Sequence, residues 1–143
     1  MNKHYKIGYT QGTFDMFHIG HLNLLRNAKK YCDILIVGVN SDILVQQYKN
    51  KTPVISEIER AEIIKELRCV DRVIICDTLK KKSIWDSIKF NAIFIGDDWK
   101  GNDRWHQTEI DLKKVNAEVV YLPHTDGISS TLLRVNEQNK IDD

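Results

Sequence analysis

Gly12-Thr13-Phe14-Asp15-Met16-Phe17-His18-Ile19-Gly20-His21 is the stretch on which the reading of this chain turns. A short β-like run, Tyr5 to Thr10, precedes it. An amphipathic run, Ile19 to Tyr31, follows and reads as a helix, with Leu22, Leu25 and Ala28 at helical spacing. A strand-to-helix turn of this kind brings backbone N–H groups and the positive end of a helix dipole to one point, which suits a phosphate. His18 and His21 are three apart, so on one helical turn they face the same way and can reach one phosphate from one side. As metal ligands the pair lacks a nearby Cys or carboxylate that clearly completes a zinc set. A lone histidine would read as packing at a helix end. Gly12, Gly20, Thr13 and Asp15 share the turn, and the phosphate reading accounts for them together.

Outward from the turn, the pattern alternates. Ile34–Val39 is an unbroken apolar run, as in a strand covered on both faces. Ser41–Tyr48 reads as a short helix. Ser56-Glu57-Ile58-Glu59 matches a capping box and opens a clear helix, with Ile64, Leu67 and Val70 continuing its buried stripe. Arg72–Cys76 is a strand, Lys82–Phe90 a helix, Ala92–Ile95 a strand, Thr108–Val115 a helix and Glu118–Leu122 a fifth strand. Ser129–Asn136 reads as a last helix. Strands alternating with helices predict an α/β fold: a single Rossmann-like domain with a doubly wound, parallel, five-stranded sheet. The expected domain is 1–135, with a polar tail at 136–143. Ligands of such sheets gather beyond the carboxyl ends of the strands, here the loops Thr10–Phe17, Asn40–Ser56, Gly96–Arg104 and Pro123–Ser130.

The 143 residues suit one core, and the net charge of +1 provides no global field for nucleic acid or an acidic membrane. No apolar run approaches the ~20 residues of a membrane span, and Met-Asn-Lys-His-Tyr-Lys does not read as a signal peptide. Cys32, Cys69 and Cys76 form no close-spaced pair, so reduced, partly buried thiols in a cytoplasm are expected.

Gly12–His21 resembles the His-x-Gly-His signature of the nucleotidyltransferase superfamily that includes the cytidylyltransferases. Arg60 through Asp71 is similar to that family's Arg-containing helix, and Gly127-Ile128-Ser129-Ser130-Thr131 resembles its Gly-Ile-Ser-Thr-Thr signature. Gly96-Asp97-Asp98-Trp99 and Tyr121-Leu122-Pro123 resemble the glycerol-3-phosphate cytidylyltransferase branch. The resemblance implies CMP transfer from CTP to a small phosphorylated alcohol, first of all glycerol 3-phosphate, CDP-glycerol as product, Mg²⁺ as cofactor and a homodimer. Val39-Asn40-Ser41-Asp42 resembles the ADP-heptose-forming branch and Ile128-Ser129-Ser130-Thr131 pantetheine-phosphate adenylyltransferase, so an ATP-using adenylyltransferase acting on a sugar phosphate or pantetheine phosphate is the alternative, as is CMP transfer to another polyol or amino-alcohol phosphate.

The cytidylyltransferase resemblance also implies site residues. His18, His21 and Lys51 would act on the reacting phosphates. Thr13, Phe14, Ile19, Gly20, Arg60, Arg68, Asp97, Asp98 and Trp99 would hold the nucleotide. His124, Thr125, Gly127, Ile128, Ser129, Ser130 and Thr131 would line the CTP phosphates. Asp15, Lys49 and Lys81 would bind the acceptor. Gly127 and the three hydroxyls after it also make sense as a close turn into a helix start. Arg60 and Arg68 are eight apart and can share one side of a helix, where Asp71 or Glu57 are structural partners. The Asp97-Asp98 pair could bind magnesium, or orient Arg68 and the base; no residue is a certain metal ligand. His124 stands where the branch has Arg, exchanging a bidentate, permanently charged phosphate grip for an imidazole.

Overall fold

The computed structural model describes residues 4–123. Five strands, β1 (Tyr5–Gly12), β2 (Cys32–Asn40), β3 (Arg72–Cys76), β4 (Ala92–Gly96) and β5 (Glu118–Leu122), form one parallel sheet in the order β3-β2-β1-β4-β5. The helices between them are α1 (Ile19–Lys29), α2 (Asp42–Lys49), α3 (Glu57–Lys65), α4 (Lys81–Ile88) and α5 (Asp103–Lys113). Strand order reverses at β1, so the β1/β4 boundary is the switch point beside which a ligand crevice opens.

Each face of the sheet has its own core. Leu25 and Ala28 of α1 and Ile64 of α3 pack with Leu35, Val37, Val39 and Phe94 on one side. Ile84 of α4 and Trp105 and Leu112 of α5 pack with Tyr9, Ile36, Phe90 and Ile93 on the other. The doubly wound sheet is therefore the one the alternating pattern predicts. Strand β2 is apolar without alternation because both of its faces are covered. Gly38 is required there: an added Cβ would fall on the Tyr9 hydroxyl and lie 2.8 Å from Cys76 Sγ. Cys32 and Cys76 are buried, Cys69 is half-buried, and all three are free thiols. Burial pushes Cys32 up to about 11 and the other two upward as well.

Helix boundaries depart from the sequence pattern where caps decide them. Ser41 Oγ accepts from Leu44 N–H, and Ser56 Oγ from Glu59 N–H. The Ser56 half of the expected box forms; separately, Glu57 Oε1 accepts from Asp42 N–H and joins the starts of α2 and α3. Helix α5 begins five residues before the expected Thr108, since Asn102 Oδ1 accepts from Arg104 and Trp105 N–H. The expected helix Ser129–Asn136 lies outside the described residues.

Candidate active site

The loop after β1 builds the centre of the site. Gly12 lets the Phe14 ring fold back over the backbone, since a Cβ there would lie 3.0 Å from that ring. Phe14 and Met16 both take positive φ, at 53° and 50°, and such conformations in non-glycine residues concentrate where function holds the backbone. His18 ends the loop in an extended conformation and is the N-cap of α1.

The two histidines cap the helix reciprocally. His18 Nδ1 accepts from Gly20 N–H at 3.0 Å, and His18 N–H donates to His21 Nδ1 at 3.2 Å. A ring nitrogen that accepts a backbone N–H carries no proton, so each neutral imidazole bears its proton on Nε2. The ring centroids are 3.9 Å apart. Phe14 and Phe17 pack on the His21 ring. Burial, reinforced by the neighbouring His18, lowers His21 to about 4 despite the opposing pull of Asp15, and burial lowers His18 too. At neutral pH the pair is a set of uncharged Nε2–H donors.

This depression links stability to pH. As pH falls from the ordinary 6.5 toward 4, an unfolded chain protonates His21 before the folded one does, so the folded state loses stability across that window. The melting-temperature advantage of the ligand-free wild type over His21→Gln is expected to change between pH 7 and pH 4.5, falling toward the acid side. A difference independent of pH, measured by thermal denaturation, would show that His21 titrates alike in both states.

A cleft of about 840 Å³ opens above the switch point. Of the residues read from sequence, Thr13, Phe14, Asp15, His18, Gly20, His21, Lys49, Lys51, Lys81, Asp98 and Trp99 line it. The Asp15 carboxylate accepts from Val54 N–H at 2.8 Å and from Ile55 N–H at 2.9 Å. It thereby closes the segment carrying Lys49 and Lys51 against the cleft. Of the three consecutive lysines, Lys82 pairs with Asp86 on the surface, Lys80 is the exposed N-cap of α4, and Lys81 is buried on the cleft wall.

Other expected residues are placed elsewhere. Arg60 is 1% exposed and does not line the cleft. Its Nε donates to Ile55 O, its Nη1 to Thr13 O and Asn40 O, and its Nη2 to Asp42 Oδ1 at 2.6 Å. Its carboxylate partner is thus Asp42, neither Asp71 nor Glu57; Asp71 binds Lys29. Arg68 lies beyond the end of α3, exposed, ahead of β3 at the amino edge of the sheet. It shares no helix face with Arg60 and is remote from Asp98 at the carboxyl edge. Ile19 and Asp97 are outside the cleft lining. His124, Thr125, Gly127, Ile128, Ser129, Ser130 and Thr131 lie outside the described residues.

The sequence reading gave no site role to Gln11, Asn40, Tyr48, Arg104 and Trp105, which also line the cleft. Gln11 Nε2 donates to Asn40 Oδ1 at 2.8 Å, and Asn40 Nδ2 to Tyr48 Oη at 3.1 Å, making a polar floor. Gln11 and Asn40 sit at the carboxyl ends of β1 and β2, the position where a parallel sheet presents its ligand-facing residues. That rule was the signal available for them. Among the described residues, no three His, Cys, Asp or Glu side chains gather to hold a metal.

A parallel, doubly wound sheet with a histidine-capped helix and lysines at its switch point defines a nucleotide-binding α/β domain. The family model described as cytidylyltransferase-like matches residues 9–136, and the chain belongs to this family of nucleotidyltransferases. It is 40% identical over 127 residues to a glycerol-3-phosphate cytidylyltransferase of Bacillus spizizenii, covering 87% of this chain and 92% of that one. It is 40% identical over 95 residues to the bifunctional protein HldE of Geobacter metallireducens, covering 66% of this chain and spanning only 19% of that protein's length. An FAD synthase of Thermococcus sibiricus is 35% identical over 116 residues, with 80% of this chain and 78% of that one covered. A solved lipopolysaccharide core biosynthesis protein of Thermoplasma volcanium superposes with a TM-score of 0.74 at 28% identity, covering 85% of this chain and 99% of that one. Among the described residues no helix is long and apolar enough to cross a membrane.

Proposed function

We propose that the chain is a cytidylyltransferase that moves CMP from CTP to a small phosphorylated alcohol, glycerol 3-phosphate first among them. An acceptor phosphate oxygen forms the new bond to the α-phosphorus, the α–β bridging bond breaks, and pyrophosphate leaves with its electron pair. The acceptor phosphate is already anionic at neutral pH, so the reaction requires no general base. It requires alignment and relief of charge growing on the α- and β-phosphates.

The reading rests above all on the locked imidazole pair. Its Nε2–H groups are donors that need no protonation event and no reorganisation at the moment of reaction. Lys51 adds a point charge, and Lys49 and Lys81 serve the acceptor. Asp98, in the cleft lining, is the residue that would hold Mg²⁺ beside the nucleotide phosphates, and the ion would supply charge neutralisation there. The same reading includes a homodimer in the cytoplasm and CDP-glycerol destined for wall teichoic acid or capsule.

The similarity to HldE and FAD synthase keeps an ATP-using transferase as the second reading. The deciding experiment incubates the protein with Mg²⁺, glycerol 3-phosphate and each nucleoside triphosphate in turn. Pyrophosphate release is expected with CTP well above that with ATP. Equal or faster release with ATP overturns the donor assignment; release with CTP only when another phosphorylated alcohol is supplied corrects the acceptor.

A further inference from the structure

Three donors line one cleft, and among the described residues no carboxylate pairs with any of them. Lys81 opens α4 and is 7% exposed, yet no carboxylate among the described residues pairs with it. Its Nζ donates to Leu79 O at 2.9 Å and lies 5.3 Å from the centre of the Trp105 ring. Arg104 stands in the first turn of α5, where a cation opposes the helix dipole. Its guanidinium lies over Trp99 at 5.6 Å, and no carboxylate among the described residues pairs with it either. Trp105 is 5% exposed, and its indole N–H has no acceptor among the described residues. Of the three, the Trp105 N–H is the buried donor left unmet among the described residues, which is costly; Arg104 is exposed, and its charge opposes that of the buried Lys81 beside it. All three side chains line the same cleft.

We infer that Lys81, Arg104 and the Trp105 indole N–H form an anion pocket that takes the phosphomonoester dianion of the acceptor, with Arg104 as its second cation. This rests on the function proposed above. The chemistry of the wall fits that group. Two positive charges match a dianion, and a neutral N–H adds a third directed bond. The cation–π contact with Trp99 positions the guanidinium, and a guanidinium can grip a phosphate bidentately. Burial and then Arg104 lower Lys81 to about 8, and an incoming dianion opposes that shift. Neutralising the acceptor also reduces its repulsion by the polyanionic nucleotide, which lets one remaining oxygen approach the α-phosphorus.

The test has a kinetic and a spectroscopic arm. Arg104→Ala is expected to raise the acceptor KM about 10- to 100-fold, the scale of losing a charge-assisted hydrogen bond, with the CTP KM within about twofold of wild type. Arg104→Lys recovers part of the loss. Lys100→Ala, which removes an exposed cation outside the cleft lining, changes neither constant. In the second arm, inorganic phosphate and then glycerol 3-phosphate are titrated into the nucleotide-free protein while the indole N–H resonances are followed by NMR. The Trp105 resonance is expected to shift, and that of Trp85, whose indole donates to Phe90 O, to stay in place. An unchanged acceptor KM in Arg104→Ala, or a CTP KM raised as much as the acceptor's, overturns the assignment. An unmoved Trp105 resonance at saturating acceptor does so as well. Should the wild type turn over no phosphorylated alcohol, the proposed function fails, and the titration still decides the pocket.

Discussion

His18→Asn is expected to unfold at the wild-type temperature and to turn over roughly 10²-fold more slowly. The two halves of that result separate the jobs of one side chain. At the N-cap of α1, His18 accepts from Gly20 N–H, and an asparagine oxygen performs the same task at full strength. What asparagine lacks is an N–H at the distance of Nε2. His18→Ala removes cap and donor together, so it should lose about 1 kcal/mol of stability as well as the turnover. His21→Gln gives the matching control, because glutamine at the third helical position returns a bond to the N-cap backbone in an ordinary capping box. It should fold and should lose a comparable share of kcat. Turnover close to wild type in both His18→Asn and His21→Gln, alongside unchanged melting, would leave the histidines as caps and nothing more. Because both rings work as neutral donors, raising the pH from 6.5 to 8 should change kcat little through them.

The spacing of His18 and His21 announced a pair that faces one way, but not that His18 stands outside the helix it caps. That depends on backbone N–H groups accepted at Nδ1, which a residue pattern does not carry. The sheet was legible because β2 is apolar without a break and the amphipathic stretches between strands are long enough to read. Helix α5 was misplaced at its start because its first turn, Asp103-Arg104-Trp105-His106, is mostly polar and only Trp105 turns inward. The same misplacement put Arg104 at the end of a loop and gave neither it nor Trp105 a role in the site. Three adjacent lysines cannot be ranked by sequence; the start of α4 decides that Lys81 alone is buried. Gln11 belongs to no motif, and the stretch that holds Asn40 assigns that side chain no role, so their position at strand ends is what points to the site.

Arg60 is where sequence and structure part most, and Arg60→Ala is expected to be the most destabilising single change, at about 3–5 kcal/mol. An arginine in a helix of mixed charge reads as solvated or ligand-facing. Here its guanidinium ties four segments at once: the site loop at Thr13, the end of β2 at Asn40, the start of α2 at Asp42 and the approach to α3 at Ile55. Alanine would leave the part-exposed Asp42 without its cation and strip the buried Asn40 carbonyl and the part-buried Thr13 and Ile55 carbonyls of their donor, which is the costly way to break such a pair. For a chain of this size the melting temperature should fall by about 10 °C or more. Arg60→Lys should recover only a fraction, since one ammonium on a flexible stem cannot reach acceptors spread around a planar fork. The site should suffer indirectly. Ile55 is also held by Asp15, so loosening it frees the segment bearing Lys49 and Lys51 and weakens acceptor and nucleotide together. The opposite pattern is equally measurable: a variant that melts with the wild type but binds CTP poorly would return Arg60 to the nucleotide, and the four backbone and carboxylate bonds would then count for little in stability.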